Sequence, residues 1–196
     1  MSTRVQKVVP VTIADFDVFV EHQADDAVFE LVDGQIVMTT NSNQRHEQIA
    51  SNLGWALKLA MDKRGCRTSQ GGMRVQISDN MQDVDKTKPD VVERCGTTTA
   101  QAETRNYIID PLVIVEVLSP STMDYDLGDK LDLYKLIPTM RHIVIAYQDQ
   151  MRIEHYRRVP GGWETDVLTK GDDKLVLEAV ASQMPVEQIY FDVAMG

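Results

Sequence analysis

Apolar positions along the chain switch between helical and strand spacing, and the switches predict an α/β order of elements. Thr12 followed by Asp15 resembles a capping box with Asp in place of the usual Glu or Gln, and Ile13, Phe16, Phe19 and Val20 then form one helical stripe, so a helix is expected over 12–23. Phe29 to Met38 reads as two short strands around Asp33-Gly34, a strong hairpin signal. Ile49, Leu53, Leu57 and Met61 line one face of a long helix from about Asn43 to Arg64, with Gly65 as its stop. Strands are expected near 66–70, 74–78 and 90–93, then in the apolar run Leu112 to Leu118. Ser119-Pro120-Ser121-Thr122 turns the chain into a second helix that ends before Pro138. Beyond it, 142–147 and 152–158 read as a hairpin, 163–168 as a further strand, and the residues after Pro185 as a last short helix.

Composition narrows the class. With 196 residues, 43% hydrophobic and 26% charged, the chain reads as one folded domain rather than a disordered one. The run Leu112 to Val115 is cut by Glu116, far short of the roughly 20 residues a membrane span needs, so no membrane partner is expected. Met1 to Pro10 holds Arg4 and Lys7 without an apolar core after them; no secretory signal is expected, and the cytoplasm is the default compartment. Cys66 and Cys95 cannot build a disulfide framework, nor a four-ligand zinc site without histidine help. The net charge of −10 argues against a protein that coats nucleic acid through cationic patches. It does not argue against a nuclease, because a metal site uses carboxylates and the ion reverses the local field.

Candidate chemistry is most visible at Glu116, inside Leu112-Val113-Ile114-Val115-Glu116-Val117-Leu118. An unpaired carboxylate in a strand buried on both faces costs several kcal/mol, so it should be neutral, paired or metal-bound. The plainer alternative is a glutamate at an exposed strand end. Lys130 falls on the stripe Met123, Leu127, Tyr134, Ile137, and so either snorkels from its edge or reaches back toward Glu116. If it reaches in, Lys130→Met keeps the stem, removes a partly buried charge and should fold well. Its neighbours Asp124, Asp126, Asp129 and Asp132 read as a solvated acidic face. Asp90 after Pro89 opens a strand; alone it is unremarkable, but with Glu116 it offers two hard oxygen ligands. Glu30 in Phe29-Glu30-Leu31, and His46 in the first turn of the long helix, are weaker candidates, and for His46 a surface or capping role serves equally well.

The order Glu30-Leu31-Val32-Asp33-Gly34, His46, Pro89-Asp90, Glu116-Val117-Leu118-Ser119-Pro120-Ser121-Thr122, Lys130 and Tyr134 resembles the Uma2 family (also DUF820), similar in fold to PD-(D/E)XK nucleases. The resemblance runs from about Val11 to Arg158. It implies an α/β (α+β) fold, with a restriction-endonuclease-like mixed central sheet flanked by helices, as one domain over 1–196. It further implies Asp90 and Glu116 as ligands of Mg²⁺ (or Mn²⁺), the Val117 carbonyl as a third ligand, and Lys130 as the catalytic lysine. Glu30 and His46 would orient waters around them.

Two departures stand out. The broad nuclease pattern places its lysine two residues after the acidic residue, where this chain has Leu118; the next helix would supply Lys130 instead. The segment Arg141 to Tyr147 lacks the aromatic-rich strand ending in Asp that family members carry, a difference of packing rather than chemistry. The expected function is a metal-dependent endonuclease hydrolysing DNA phosphodiesters; the alternative is a catalytically silent nuclease-fold module that binds DNA or a protein. Arg64, Arg67, Arg74, Lys86 and Lys88 precede Asp90 in sequence, but a solvated surface is the better reading than phosphate contacts. Gly-rich phosphate loops and nucleophile elbows are absent, so triphosphate and serine-ester chemistry are unsupported. A homodimer is only the generic expectation for an enzyme cutting two strands.

Overall fold

The computed structural model describes residues 10–23, 28–39, 43–61, 65–77, 83, 85–96, 104–120 and 123–194. Thr12 caps helix α1 (Ile13–Glu21) by accepting the Asp15 N–H, as its pattern predicts. Strands β1 (Val28–Val32) and β2 (Gln35–Thr39) pair antiparallel. Their two-residue turn needs left-handed backbone at both positions, and Asp33 (φ 47°) with Gly34 (φ 68°) supplies it. Helix α2 (Gln44–Met61) follows, with Ile49, Leu53 and Leu57 fully buried. The end at Arg64 expected from sequence lies outside the described residues.

Two sheets form the body. The larger is mixed, in the order β11-β10-β9-β8-β6-β3: β11 is Gly162–Leu168, β10 Ile153–Val159, β9 His142–Tyr147, β8 Val113–Leu118, β6 Val91–Cys95 and β3 Cys66–Gln70. Its β8–β9 pair is parallel and its other pairs antiparallel. Alternation along β8 divides the core. Val113, Val115 and Val117 pack with Ile49, Leu53 and Leu57 of α2, while Ile114 and Leu118 pack with Leu131, Tyr134 and Ile137 on the opposite face. That second face is covered by a broken helix, α3, made of an α-turn (Met123–Tyr125), a π-helical turn (Asp126–Lys130) and an α-helical end (Leu131–Leu136).

The smaller sheet has the order β2-β1-β5-β4-β7, where β5 is Lys86–Thr87, β4 Arg74–Gln76 and β7 Tyr107–Ile108. Lys86, fully buried, is held by Asp17 of α1 at 2.7 and 2.9 Å, and Arg74 donates to the Phe29 carbonyl. Neither is a free surface cation, and Arg64 lies outside the described residues. A third pair, β12 (Lys174–Leu177) with β13 (Ser182–Pro185), and the short helix α4 (Val186–Ile189) close the α2 side. The two cysteines are joined: Cys66 and Cys95, cross-strand partners on β3 and β6, form one disulfide, not a framework. Among the described residues no helix is long and apolar enough to cross a membrane.

Candidate functional site

The β6–β8 register pairs Val91 with Val115 and Val92 with Ile114, and one more step sets Asp90 opposite Glu116. Asp90 does not continue the ladder through its backbone. Its side chain does so instead, with Oδ2 accepting the Val117 N–H at 2.7 Å. The same oxygen stands 3.3 Å from Nε2 of His46, which the first turn of α2 brings over the end of the sheet. Asn43 caps that turn by accepting the His46 N–H, so the imidazole is placed by the cap itself.

Glu116 shares the parity of Ile114 and Leu118 and therefore faces α3. It is 4% exposed, which removes the exposed-strand-end alternative. Its Oε1 receives the Tyr134 hydroxyl at 2.5 Å and lies 2.8 Å from the Lys130 ammonium. Lys130 does not snorkel: it is 3% exposed, and its Nζ also stands 3.3 Å from Glu30 and 3.2 Å from Asp126. Glu30 projects from β1 of the smaller sheet and accepts the Lys88 N–H through Oε1, while its Oε2 is buried without a partner among the described residues. The structure thus brings Asp90, Glu116, Lys130, Glu30 and His46 into one centre.

Two sequence expectations need correction. Asp126 is not on a solvated face; it is buried against Lys130, whereas Asp124, Asp129 and Asp132 are exposed. Its place four residues before Lys130 explains it, because side chains at that spacing share one face, and here both lie in the π-helical turn. Lys130→Met is no longer a harmless exchange either, since the ammonium is the cation that three buried carboxylates share. Sequence reasoning also missed Tyr134 as a polar member of the site, and Thr87, whose hydroxyl lies 3.1 Å from the Tyr134 oxygen. Tyr134 read as one more apolar position of the stripe; its partners lie 18 and 47 residues away.

Charge follows from burial and neighbours. Burial pushes the Glu116 carboxyl well above the ordinary 4.5; Lys130 opposes this, while Asp126, Asp90 and Glu30 add to it. Burial alone would lower Lys130, but Glu116 and Glu30 outweigh it and hold the ammonium well above 10.5. We therefore read Lys130 as charged, and the surplus of carboxylates around it as demanding a proton or a second cation. Burial would likewise lower His46, yet its hydrogen bond and charge contact with Asp90 leave it above 6.5.

The donor set suits a hard divalent ion. Lys130 and Tyr134 both engage Oε1 of Glu116 and leave Oε2 out of these contacts, and the Asp90 side chain is 23% exposed, within reach of solvent. Val117 serves the site through its N–H, which orients Asp90. A cleft of about 490 Å³ opens where Pro120 and Gln148, which follow β8 and β9, meet Arg45 and Gln48 of α2; none of the residues of the centre lines it.

Comparisons with known proteins agree with this architecture. The uncharacterized protein slr1290 of Synechocystis sp. is 27% identical over 165 residues, covering 84% of each chain. A second uncharacterized Synechocystis protein, sll1609, is 25% identical over 130 residues, covering 66% of this chain and 72% of its own. A crystal structure from Anabaena variabilis, described as a "putative nuclease belonging to DUF820", superposes with a TM-score of 0.74, covering 92% of this chain and 98% of that one, at 18% identity; it shows the shared fold. The Uma2 family, described as "Putative restriction endonuclease", matches residues 14–187. Spanning both sheets and every residue of the buried centre, that match shows that this chain belongs to the Uma2 family.

Proposed function

We propose that the protein is a metal-dependent endonuclease that hydrolyses phosphodiester bonds in DNA. The observation that carries this reading is the facing pair Asp90–Glu116 at the open end of the β6–β8 ladder, with Lys130 locked onto Glu116. The family description supports the reaction class.

Asp90 and Glu116 would hold one Mg²⁺ (or Mn²⁺), with the Val117 carbonyl as a further ligand. Such an ion supplies polarisation of a phosphate oxygen and a more acidic bound water. The chain's own residues then divide the remaining work. Tyr134 fixes the carboxylate plane of Glu116 by donating to Oε1, and the Val117 N–H fixes that of Asp90. Lys130 opposes the burial that raises Glu116, and so favours the anionic form that a metal ligand needs. Being 3% exposed, its ammonium acts through Glu116 rather than on the phosphate directly, which makes it a positioning residue. His46, held above its ordinary pKa by Asp90, presents a proton beside the same carboxylate, and Glu30 completes the charge around Lys130.

That burial of Lys130 also favours a second reading, a silent nuclease-fold module that binds DNA or a protein without cutting. One experiment separates the two. Supercoiled plasmid incubated with Mg²⁺ or Mn²⁺ should be nicked by the wild type, spared with EDTA, and spared by Asp90→Asn and Glu116→Gln. Cutting that survives chelation would overturn the metal assignment; no cutting under either ion would hand the site to the silent reading.

A further inference from the structure

A second constellation lies at the far end of β6, apart from the centre just described. On the β3–β6 ladder Cys66 faces Cys95 and Thr68 faces Glu93, so four side chains form a square on one face of two neighbouring strands. The two cysteines pack against the α2-side core. One ligand atom from each of Cys66, Glu93 and Cys95 lies within 4.8 Å of the others, the one cluster of three such residues among the described residues.

Glu93 is the anomaly. It is fully buried; the Thr68 hydroxyl donates to Oε2 at 2.5 Å, and Oε1 has no partner among the described residues. A carboxylate oxygen left bare in a core costs free energy that a neighbouring disulfide, a poor hydrogen-bond partner, does not return. Two thiolates and a cation in the same place would return it. Thr68 already stands as the outer support that metal-binding carboxylates commonly have, leaving Oε1 as the single free donor.

We propose that, when the Cys66–Cys95 disulfide is reduced, the two thiolates and Glu93 Oε1 bind one borderline-soft divalent ion of the Zn²⁺ class. The fourth position is open to water, since Cys66 sits half-buried on the edge strand β3. The balance is explicit. A dithiol or phosphine reductant delivers two electrons and breaks the S–S bond, giving two thiols while the reductant is oxidised. Binding the ion then releases the two thiol protons to solvent. Oxidation and metal occupancy exclude each other at this site. Its sulfur ligands distinguish it from the all-oxygen centre at Asp90 and Glu116.

The test uses the full chain and Co²⁺ as a spectroscopic stand-in for Zn²⁺. Protein reduced with a phosphine and titrated with Co²⁺ should develop a thiolate-to-cobalt charge-transfer band that saturates at one equivalent and is bleached by Zn²⁺. The oxidised protein should show no such band. Cys95→Ser should lose it, and Glu93→Gln should weaken binding at least tenfold. Thr68→Val, which keeps both thiols and the carboxylate, should weaken it less and reports on the site if Glu93→Gln fails to fold. Absence of the band in reduced wild type would overturn the proposal, and so would affinity unchanged in both Glu93→Gln and Thr68→Val. Ions bound at Asp90 and Glu116 contribute no sulfur band, so the result does not depend on the nuclease reading.

Discussion

Lys130→Met tests the buried centre most directly, because the sequence alone makes it benign and the structure makes it costly. The ammonium contacts Glu116, Asp126 and Glu30 at 2.8, 3.2 and 3.3 Å. At an effective dielectric near 20, each contact of that length carries roughly 5–6 kcal/mol of attraction, set against a desolvation penalty of several kcal/mol per ion. Removing the cation strands the carboxylates without recovering their hydration, and breaking a buried pair this way commonly costs about 3–5 kcal/mol. For a chain of this size that corresponds to a fall in melting temperature of roughly 6–20 °C. Glu116 sets the pH dependence. Its pKa is already raised above 4.5 by burial, and without Lys130 it rises further. A carboxyl raised in the folded state contributes stability that is present below its unfolded pKa and is lost as pH rises through the folded one. The deficit of the variant should therefore be largest near pH 8 and shrink toward pH 5. Urea denaturation of wild type and variant across that range is the assay, with Lys135→Met as the control. Among the described residues the Lys135 ammonium meets the exposed Asp132 at 3.5 Å and the Tyr156 ring, so its loss should cost under about 1 kcal/mol. Equal stability of Lys130→Met and wild type at pH 8, or a deficit that ignores pH, would refute the argument.

The other predictions are briefer. Mg²⁺ should raise the wild-type melting temperature, by about 2.7 kcal/mol of stabilisation at a hundredfold excess over Kd, and should do nothing for Asp90→Asn; an equal shift in both would remove Asp90 from the ligand set. Tyr134→Phe removes the donor to Glu116 and should cost about 1–3 kcal/mol in urea melts, with a loss of cleavage wherever the wild type cuts. His142 and His155 share a buried ring contact at 2.9 Å, and burial followed by the charge of His155 lowers His142 to about 4. A group depressed in this way contributes stability above its unfolded pKa of 6.5 that is lost as pH falls toward 4, here about 3 kcal/mol. Substituting His155→Gln should flatten that slope, as read by thermal melts at pH 7 and 4.5.

Much of the frame was legible because it rests on local rules. The α1 cap, the Asp33-Gly34 hairpin and the strands 66–70 and 142–147 depend on turn chemistry and on apolar periodicity within a few residues. The elements that escaped are set by distant partners. Strands β5 and β7 are two residues each, too short to carry a pattern, and exist because Lys86 pairs with Leu31 and Tyr107 with Arg74. Lys86 on β5 even contradicts the pattern, a buried lysine answered by Asp17 from 69 residues away. The strands β12 and β13 do alternate between exposed and buried positions, but over four residues each.

The site divides along the same line. Glu116 stood out because a charge in an apolar strand violates a local rule, and Lys130 because it sat on an apolar stripe. Asp126 carried a usable signal, four residues before Lys130, where helical side chains meet. Its direction was hidden because, in sequence, it is one of four acidic residues with Asp124, Asp129 and Asp132, a run that reads as a solvated face. What no local rule supplies is the junction of the two sheets. Lys88 donates its N–H to Glu30 on the smaller sheet, and two residues later Asp90 leads into β6 of the larger one. Lys130 then spans the gap by contacting Glu30 and Glu116 together. Each of those carboxylates is buried and needs the cation, so neither sheet completes its polar positions alone. The centre is therefore a fastening between the sheets as well as a candidate site: the contacts that hold the Lys130 ammonium fix Glu116, while the Val117 N–H and His46 fix Asp90 opposite it.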